Sequence, residues 1–256
     1  MTLQIEHVMC LRDNYVWLLK EPTAGTVAAV DPSEAGPVGA ALKRLGWRLT
    51  HILNTHHHAD HTGGNLALKE ASGCKIVGPR ADRDRIPGID LALGEGDTYW
   101  FGAEMGRIFD IPGHTRGHIA FWFAQSSALF CGDTLFTLGC GRLFEGTPAQ
   151  MWDSLGKLRR LPGQTRVFCG HEYTQANARF ALNLDPDNAA LRARASAVDA
   201  ARAKGLATVP ASLAEECATN PFLRADRPEL ARAVGLGPGA DPVGVFAAIR
   251  AAKDRF

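Results

Sequence analysis

The run Thr55-His56-His57-His58-Ala59-Asp60-His61 packs four histidines and an aspartate into seven positions, in the pattern H-x-H-x-D-H. Neutral imidazole nitrogen and carboxylate oxygen are ligands for zinc and for first-row metals generally, and a site built from them draws on more than one chain segment. Side chains two apart in an extended chain point the same way, so His56 and His58 can share one ion. Asp60 and His61 are displaced along the chain and address a second position. Four donors hold two ions only incompletely, so further ligands must come from elsewhere.

Three other stretches offer them. The apolar run Ala128-Leu129-Phe130-Cys131 ends in Gly132-Asp133, and Val167-Phe168-Cys169 ends in Gly170-His171. Arg107-Ile108-Phe109 leads through Asp110-Ile111-Pro112-Gly113 to His114. In each, a strand pattern runs out, a glycine permits a sharp turn or close approach, and a donor follows. His51-Ile52-Leu53-Asn54 precedes the histidine cluster in the same way, and donors at one end of a sheet suit a shared site at the strand mouths. Taken singly, His114 and His171 read as structural or surface histidines and Asp133 as a turn residue. The spacing of the cluster is what raises them to ligand candidates, while His7, His51, His57 and His118 are expected not to be ligands.

The elements that must position these residues fall into two regimes. Strand patterns cover 3–9, 15–19, 26–30, 51–53, 75–77, 98–101, 104–109, 119–123, 128–131 and 166–169, rich in Val, Ile, Phe, Tyr and Trp and punctuated by Gly, Pro and Asp. Helical patterns interleave at 38–45, 65–71 and 148–160. From Glu172 onward the chain reads as helix after helix, at 174–184, 188–204 and 241–256, with Asp187 or Asn188 as a cap. The prediction is an α/β layered part over residues 1–173 and an α-helical part over 174–256. With 28 basic against 27 acidic residues in 256, the net charge is +1, which gives no field for coating a nucleic acid. No apolar stretch reaches the roughly 18 residues of a membrane span, and no signal-peptide pattern opens the chain. Six dispersed cysteines without a CxxC pair suit reduced thiols, so the expectation is a cytoplasmic protein.

The H-x-H-x-D-H run with distant His, Asp and His resembles the metallo-β-lactamase superfamily. That resemblance implies a four-layer αββα sandwich carrying two divalent ions, zinc foremost with iron or manganese as alternatives. It implies one ion on His56, His58 and His114, a second on Asp60, His61 and His171, and Asp133 bridging them. Asp31, in Val30-Asp31-Pro32, matches an aspartate that orients the ligand loop; by its residues alone it is equally a turn aspartate before proline.

Within the superfamily the chain is similar to the glyoxalase II, or hydroxyacylglutathione hydrolase, family. The similar stretches are Leu11 to Tyr15, Thr55 to Asn65, Gly139 to Gly146, Cys169 to Thr174, Val209-Pro210 through Asn220-Pro221-Phe222, and Arg250 to Phe256. The resemblance implies hydrolysis of S-D-lactoylglutathione and related thioesters to glutathione and D-lactate, in methylglyoxal detoxification, by water activated at the two ions. Asp60 and Asp133 are the implied catalytic residues. It implies that Arg142, Phe144, Tyr173, Arg250 and Lys253 bind the glutathione part, with a small-molecule substrate and a monomeric enzyme. By spacing alone, Arg250 and Lys253 share a solvated helix face, with Arg250 and Asp254 an i,i+4 pair of little weight. Two positions depart from the family: Phe144 stands where Tyr is frequent, removing a phenolic hydroxyl, and Arg142 where Lys is frequent, keeping the charge. The rival readings are a mononuclear-iron persulfide dioxygenase of the same superfamily, a nuclease, for which a basic channel is lacking, and a metal-binding scaffold without activity.

Overall fold

The computed structural model describes residues 2–256, which cluster into two units: one up to Asp110 together with Arg116–Gly132, the other Ile111–Thr115 with Asp133–Phe256.

In the first unit a six-stranded sheet runs in the order β1 (Gln4–Cys10), β2 (Asn14–Glu21), β3 (Thr26–Val30), β4 (His51–Leu53), β5 (Lys75–Pro79) and β6 (Leu91–Leu93). The first three strands pair antiparallel and the rest parallel. Parallel pairing needs crossovers, supplied by α1 (Ala35–Leu45) between β3 and β4 and by α2 (Ala59–Thr62) and α3 (Asn65–Ser72) between β4 and β5. Alternation along the strands sends Val16, Leu18, Val27, Ala29, Ile52 and Ile76 into one apolar cluster with Val38, Ala41 and Leu42 of α1 and Leu68 of α3. The intervening Trp17, Leu19, Ala28, Val30, Leu53 and Val77 point the other way and are also buried. A sheet covered on both faces explains why β2 and β3 read as unbroken apolar runs.

The same unit carries an antiparallel meander of β7 (Thr98–Phe101), β8 (Glu104–Asp110), β9 (Ile119–Phe123) and β10 (Ala128–Gly132). Phe101, Phe121, Phe123 and Phe130 are fully buried, and His51 of β4 meets the rings of Tyr99 and Phe101 edge-on at 6.2 and 6.0 Å.

The second unit holds the hairpin β11 (Leu135–Phe136) and β12 (Gly139–Cys140), then α4 (Pro148–Arg159), started by a capping box of Thr147 and Gln150. β13 (Arg166–Cys169) follows, then α5 (Thr174–Leu184) and α6 (Ala189–Arg202), the latter capped by Asn188. β14 (Ala211–Ser212) pairs antiparallel with β13, and α7 (Leu213–Thr219), α8 (Pro228–Ala233) and α9 (Pro242–Arg255) complete the chain. Leu138 packs into a cluster with Ala178, Ala181, Leu191 and Ala195 of α5 and α6.

Every strand and helix expected from the sequence is present, with ends shifted by at most three residues. Not expected were β6, β11, β12 and β14, and the short helices α2, α7 and α8, all of which are too short to show a period. Among the described residues no helix is long and apolar enough to cross a membrane.

Candidate metal centre

In the first unit the ligand loop leaves β4 at Leu53 and is held by Asp31, the residue after β3. Asp31 sits in the left-handed region at φ +50°, which a short polar side chain tolerates, and its N–H donates to the Leu53 carbonyl at 3.0 Å. Its buried carboxylate accepts the Thr55 N–H at 2.7 Å and the Thr55 hydroxyl at 2.6 Å, and lies 3.2 Å from His61 Nδ1. One carboxylate therefore fixes the loop's entry and turns the His61 ring so that Nδ1 carries the proton and Nε2 keeps its lone pair. Thr55 Oγ1 stands 3.0 Å from His56 Nδ1 and does the same for that ring. His56 Nε2 and His58 Nδ1 lie 3.2 Å apart. Facing lone pairs at that separation suit a shared cation.

Asp60 is held from β2: the Asn14 amide donates to both its carboxylate and its carbonyl at 3.1 Å. His61 Nε2 is 3.5 Å from the same carboxylate. His57 turns to Asp82, at 2.9 Å from Nδ1, while the His118 ring stacks on His56 at 4.5 Å. The end of β10 comes so close that a Cβ at Gly132, itself at φ +46°, would stand 2.2 Å from Thr55 Oγ1. Glycine is required there by both space and conformation.

In the second unit His114, Asp133 and His171 come together, all buried. Asp133 Oδ2 lies 3.5 Å from His114 Nε2 and 3.2 Å from His171 Nε2. The Arg142 carbonyl is 2.9 Å from His114 Nδ1, which places the proton on Nδ1 and aims Nε2 at the carboxylate. A carboxylate set between two imidazoles is a donor group suited to bridging cations. The chain after β12 crosses so tightly that a Cβ on Gly141 would sit 1.9 Å from the Asp133 carbonyl. Tyr173 stacks on His171 at 4.7 Å with nearly parallel planes, and Phe144 meets His114 edge-on at 5.2 Å.

Cations gather in this unit. Arg250 of α9 is buried, donates to the Cys140 carbonyl at 2.8 Å and to Asp254 at 2.9 Å, and lies over the Phe222 ring. Arg142, mostly exposed, is 3.5 Å from the same Asp254 carboxylate. Lys253 Nζ donates to the Ala176 carbonyl at 3.1 Å. Half-burial, with the charges of Arg250 and Arg142, pulls the Lys253 ammonium down to about 8, Asp254 opposing. The expected i,i+4 pair of Arg250 and Asp254 exists, yet Arg250 faces the interior.

Sequence reasoning missed Asn14, Thr55 and Asp82. Asn14 and Thr55 lie in stretches already noted for their similarity to a family, and polar residues at strand ends beside a ligand run are the signal that could have found them.

Comparison with known proteins gives two family matches. The description "Metallo-beta-lactamase superfamily" fits residues 12–171, and "Hydroxyacylglutathione hydrolase C-terminus" fits residues 172–256. The hydroxyacylglutathione hydrolase of Methylococcus capsulatus is 60% identical over 254 residues, 99% of each chain. Among solved structures, ETHE1 from Myxococcus xanthus aligns with a TM-score of 0.67 and 24% identity, over 99% of this chain and 98% of its own. TTHA1623 in a di-iron-bound form aligns with a TM-score of 0.60 and 25% identity, over 84% of this chain and 98% of its own. The fold is the α/β metallo-β-lactamase fold followed by a helical C-terminal part, and the His/Asp clusters are those of a metal-binding protein.

Proposed function

We propose the activity from one premise: the chain belongs to the hydroxyacylglutathione hydrolases of the metallo-β-lactamase superfamily. It is a thioester hydrolase that converts S-D-lactoylglutathione and related S-2-hydroxyacylglutathiones to glutathione and the free acid, a step in methylglyoxal removal. The observation that carries this reading is the match of residues 172–256 to the hydroxyacylglutathione hydrolase C-terminus, the part that holds Tyr173, Arg250 and Lys253.

His56, His58 and His114 would hold one divalent ion and Asp60, His61 and His171 a second, with the Asp133 carboxylate available to both. Five imidazoles and two carboxylates, with the proton of His61, His56 and His114 set on Nδ1 by a partner, fit zinc first, and iron or manganese also. When bound, the ions lower the pKa of a water towards roughly 7 and polarise the thioester carbonyl.

The chain's own residues do the rest. Asp60, steadied by Asn14, accepts a hydrogen bond from the attacking water and keeps it aimed. Arg142 and Lys253 offer positive charge to the glycine-end carboxylate of glutathione, Arg250 fixes the loop that carries Arg142, and Tyr173 and Phe144 supply ring surface. The departing thiol has a pKa of about 8.5, so it leaves as thiolate without a general acid. Burial pushes the Cys140 thiol up to about 11 and Cys169 up to about 12, which removes both as covalent nucleophiles at neutral pH.

Residues 1–173 form the catalytic domain and 174–256 the substrate-binding domain of a cytoplasmic monomer. The test is hydrolysis of S-D-lactoylglutathione, followed at the thioester absorbance on protein of measured metal content, with oxygen uptake on glutathione persulfide as the second arm. Full metal occupancy with no thioesterase activity overturns the reading, and oxygen uptake in its place establishes the dioxygenase.

A further inference from the structure

The hairpin β11–β12 has a candidate ligand just before it, Asp133, and a substrate-contacting candidate just after it, Arg142. Its register pairs Leu135 with Cys140 and Phe136 with Gly139, so Thr137 and Leu138 form a two-residue turn. Leu138 stands at φ +59°, in the left-handed region that a leucine side chain disfavours. A hairpin of two residues per strand does not hold such a turn by itself.

What holds it is a set of side chains on the C-terminal helices. The carboxylate of Glu216, on α7 and wholly buried, accepts the Leu138 N–H at 2.9 Å. The Asn220 amide, just after α7, donates to the carbonyls of Phe136 at 3.1 Å and Gly139 at 3.0 Å, and to Glu216 at 2.9 Å. The Asn177 amide of α5 donates to the Thr137 carbonyl at 3.1 Å, and a Cβ on Gly139 would meet that amide at 2.4 Å. Arg194 of α6 pairs with the far oxygen of Glu216. The Leu138 side chain lies in the α5–α6 cluster. Four consecutive residues, Phe136 to Gly139, are thus each fixed by a buried side chain from the C-terminal region, over and above the two pairs of the hairpin itself.

We infer that Glu216, with Asn220 and Asn177, is a positioning residue for the reaction: it sets the β11–β12 turn and thereby the aim of Asp133 at His114 and His171. The inference rests on Asp133 being a metal ligand, as proposed above. It makes the helical C-terminal region a part of the metal site's scaffold as well as a place for substrate.

The variants that test it are Glu216→Gln, which keeps the shape but lacks the charge for Arg194, and Asn177→Ala. Glu216→Ala leaves Arg194, the Leu138 N–H and the Asn220 amide with no acceptor from position 216 and is avoided for that reason. Val198→Ala, a buried change on α6 away from the hairpin, serves as the control matched for loss of Tm. Full-length, metal-loaded protein is titrated with a chromophoric chelator, and kcat is measured in parallel. The expected result is at least a tenfold lower chelator concentration for half-removal of metal in Glu216→Gln and Asn177→Ala, with kcat falling alongside, and no such change in Val198→Ala. Variants that match the control in both readouts overturn the inference. Asp133→Ala is run beside them: if it keeps wild-type metal, the ligand assignment fails, whereas if it alone loses metal, only the positioning role fails.

Discussion

The candidate ligands of the first unit come from a single run, His56 to His61, and those of the second from three separated places, His114, Asp133 and His171. The first set is oriented by Asp31, reached through Thr55 and His61, with Asn14 steadying Asp60. The second depends on the Arg142 carbonyl behind His114, the tight crossing at Gly141 beside Asp133, and the helix side chains that pin the hairpin after it. Ligands close in sequence need few orienting groups because the backbone already limits where they can go. Dispersed ligands need an anchor for each segment, so their accuracy depends on residues far along the chain.

The largest expected effect removes the shared member of the dispersed set. Asp133→Ala should bring thioester hydrolysis down to background and lower metal content, measured by elemental analysis on the same preparation. Near-wild-type turnover with full metal would break the comparison at its base. Asp31→Asn tests the contiguous set at the carboxylate that holds Thr55 and His61. The amide tolerates the left-handed backbone and can still accept from Thr55, but it brings no negative charge to His61. The expected loss is about 10–100-fold in metal affinity or kcat, the range seen for groups that orient ligands. A loss under twofold in both would show that the run orients itself.

How legible these two regions were in the sequence follows from the same contrast. H-x-H-x-D-H declares itself because its chemistry is periodic and local, and Gly132-Asp133 and Gly170-His171 follow strands long enough to be read. The helix pair at 174–184 and 188–204 was visible from its helical pattern and from Asp187 or Asn188 as a cap. The anchors were not. Glu216 and Asn220 lie on and just after a seven-residue helix and act on a short hairpin 78 to 84 positions earlier in the chain, a relation no local pattern encodes. Arg250 was read from its helix spacing as solvated, and only tertiary packing shows it turned inward to Cys140. Asp31 stood evenly between a turn residue and an orienting one until its contacts with Thr55 and His61 were known.

The cation cluster of the second unit separates the regions by pH. Lys253 holds its proton only to about 8, because half-burial and then Arg250 and Arg142 oppose the charge, while Asp254 favours it. Free enzyme therefore loses this cation as pH rises through 8, and KM for a glutathione thioester should climb above that pH while metal occupancy stays constant. Lys253→Arg keeps its charge and should flatten the rise. The sign for stability is opposite. The unfolded lysine titrates near 10.5, so between about 8 and 10.5 the unfolded chain binds a proton that the folded chain does not, and stability gains with pH across that window. A KM independent of pH from 7 to 9.5 would remove Lys253 from the binding of substrate charge.

The smallest effect lies at Phe144, on the loop that leads away from the hairpin. Its ring touches His114 edge-on at 5.2 Å but is mostly exposed, so packing asks little of it. Phe144→Tyr adds one hydroxyl at the rim without filling a cavity, and Tm should stay within about a degree. If the rim faces the glutathione backbone, the hydroxyl gains one hydrogen bond to substrate, a net of about 0.5–1.5 kcal/mol, so KM should fall roughly two- to tenfold at unchanged kcat. A fall in kcat instead would mean that the ring acts on His114, and through it on the dispersed ligands, and that position 144 belongs with the anchors of the metal site.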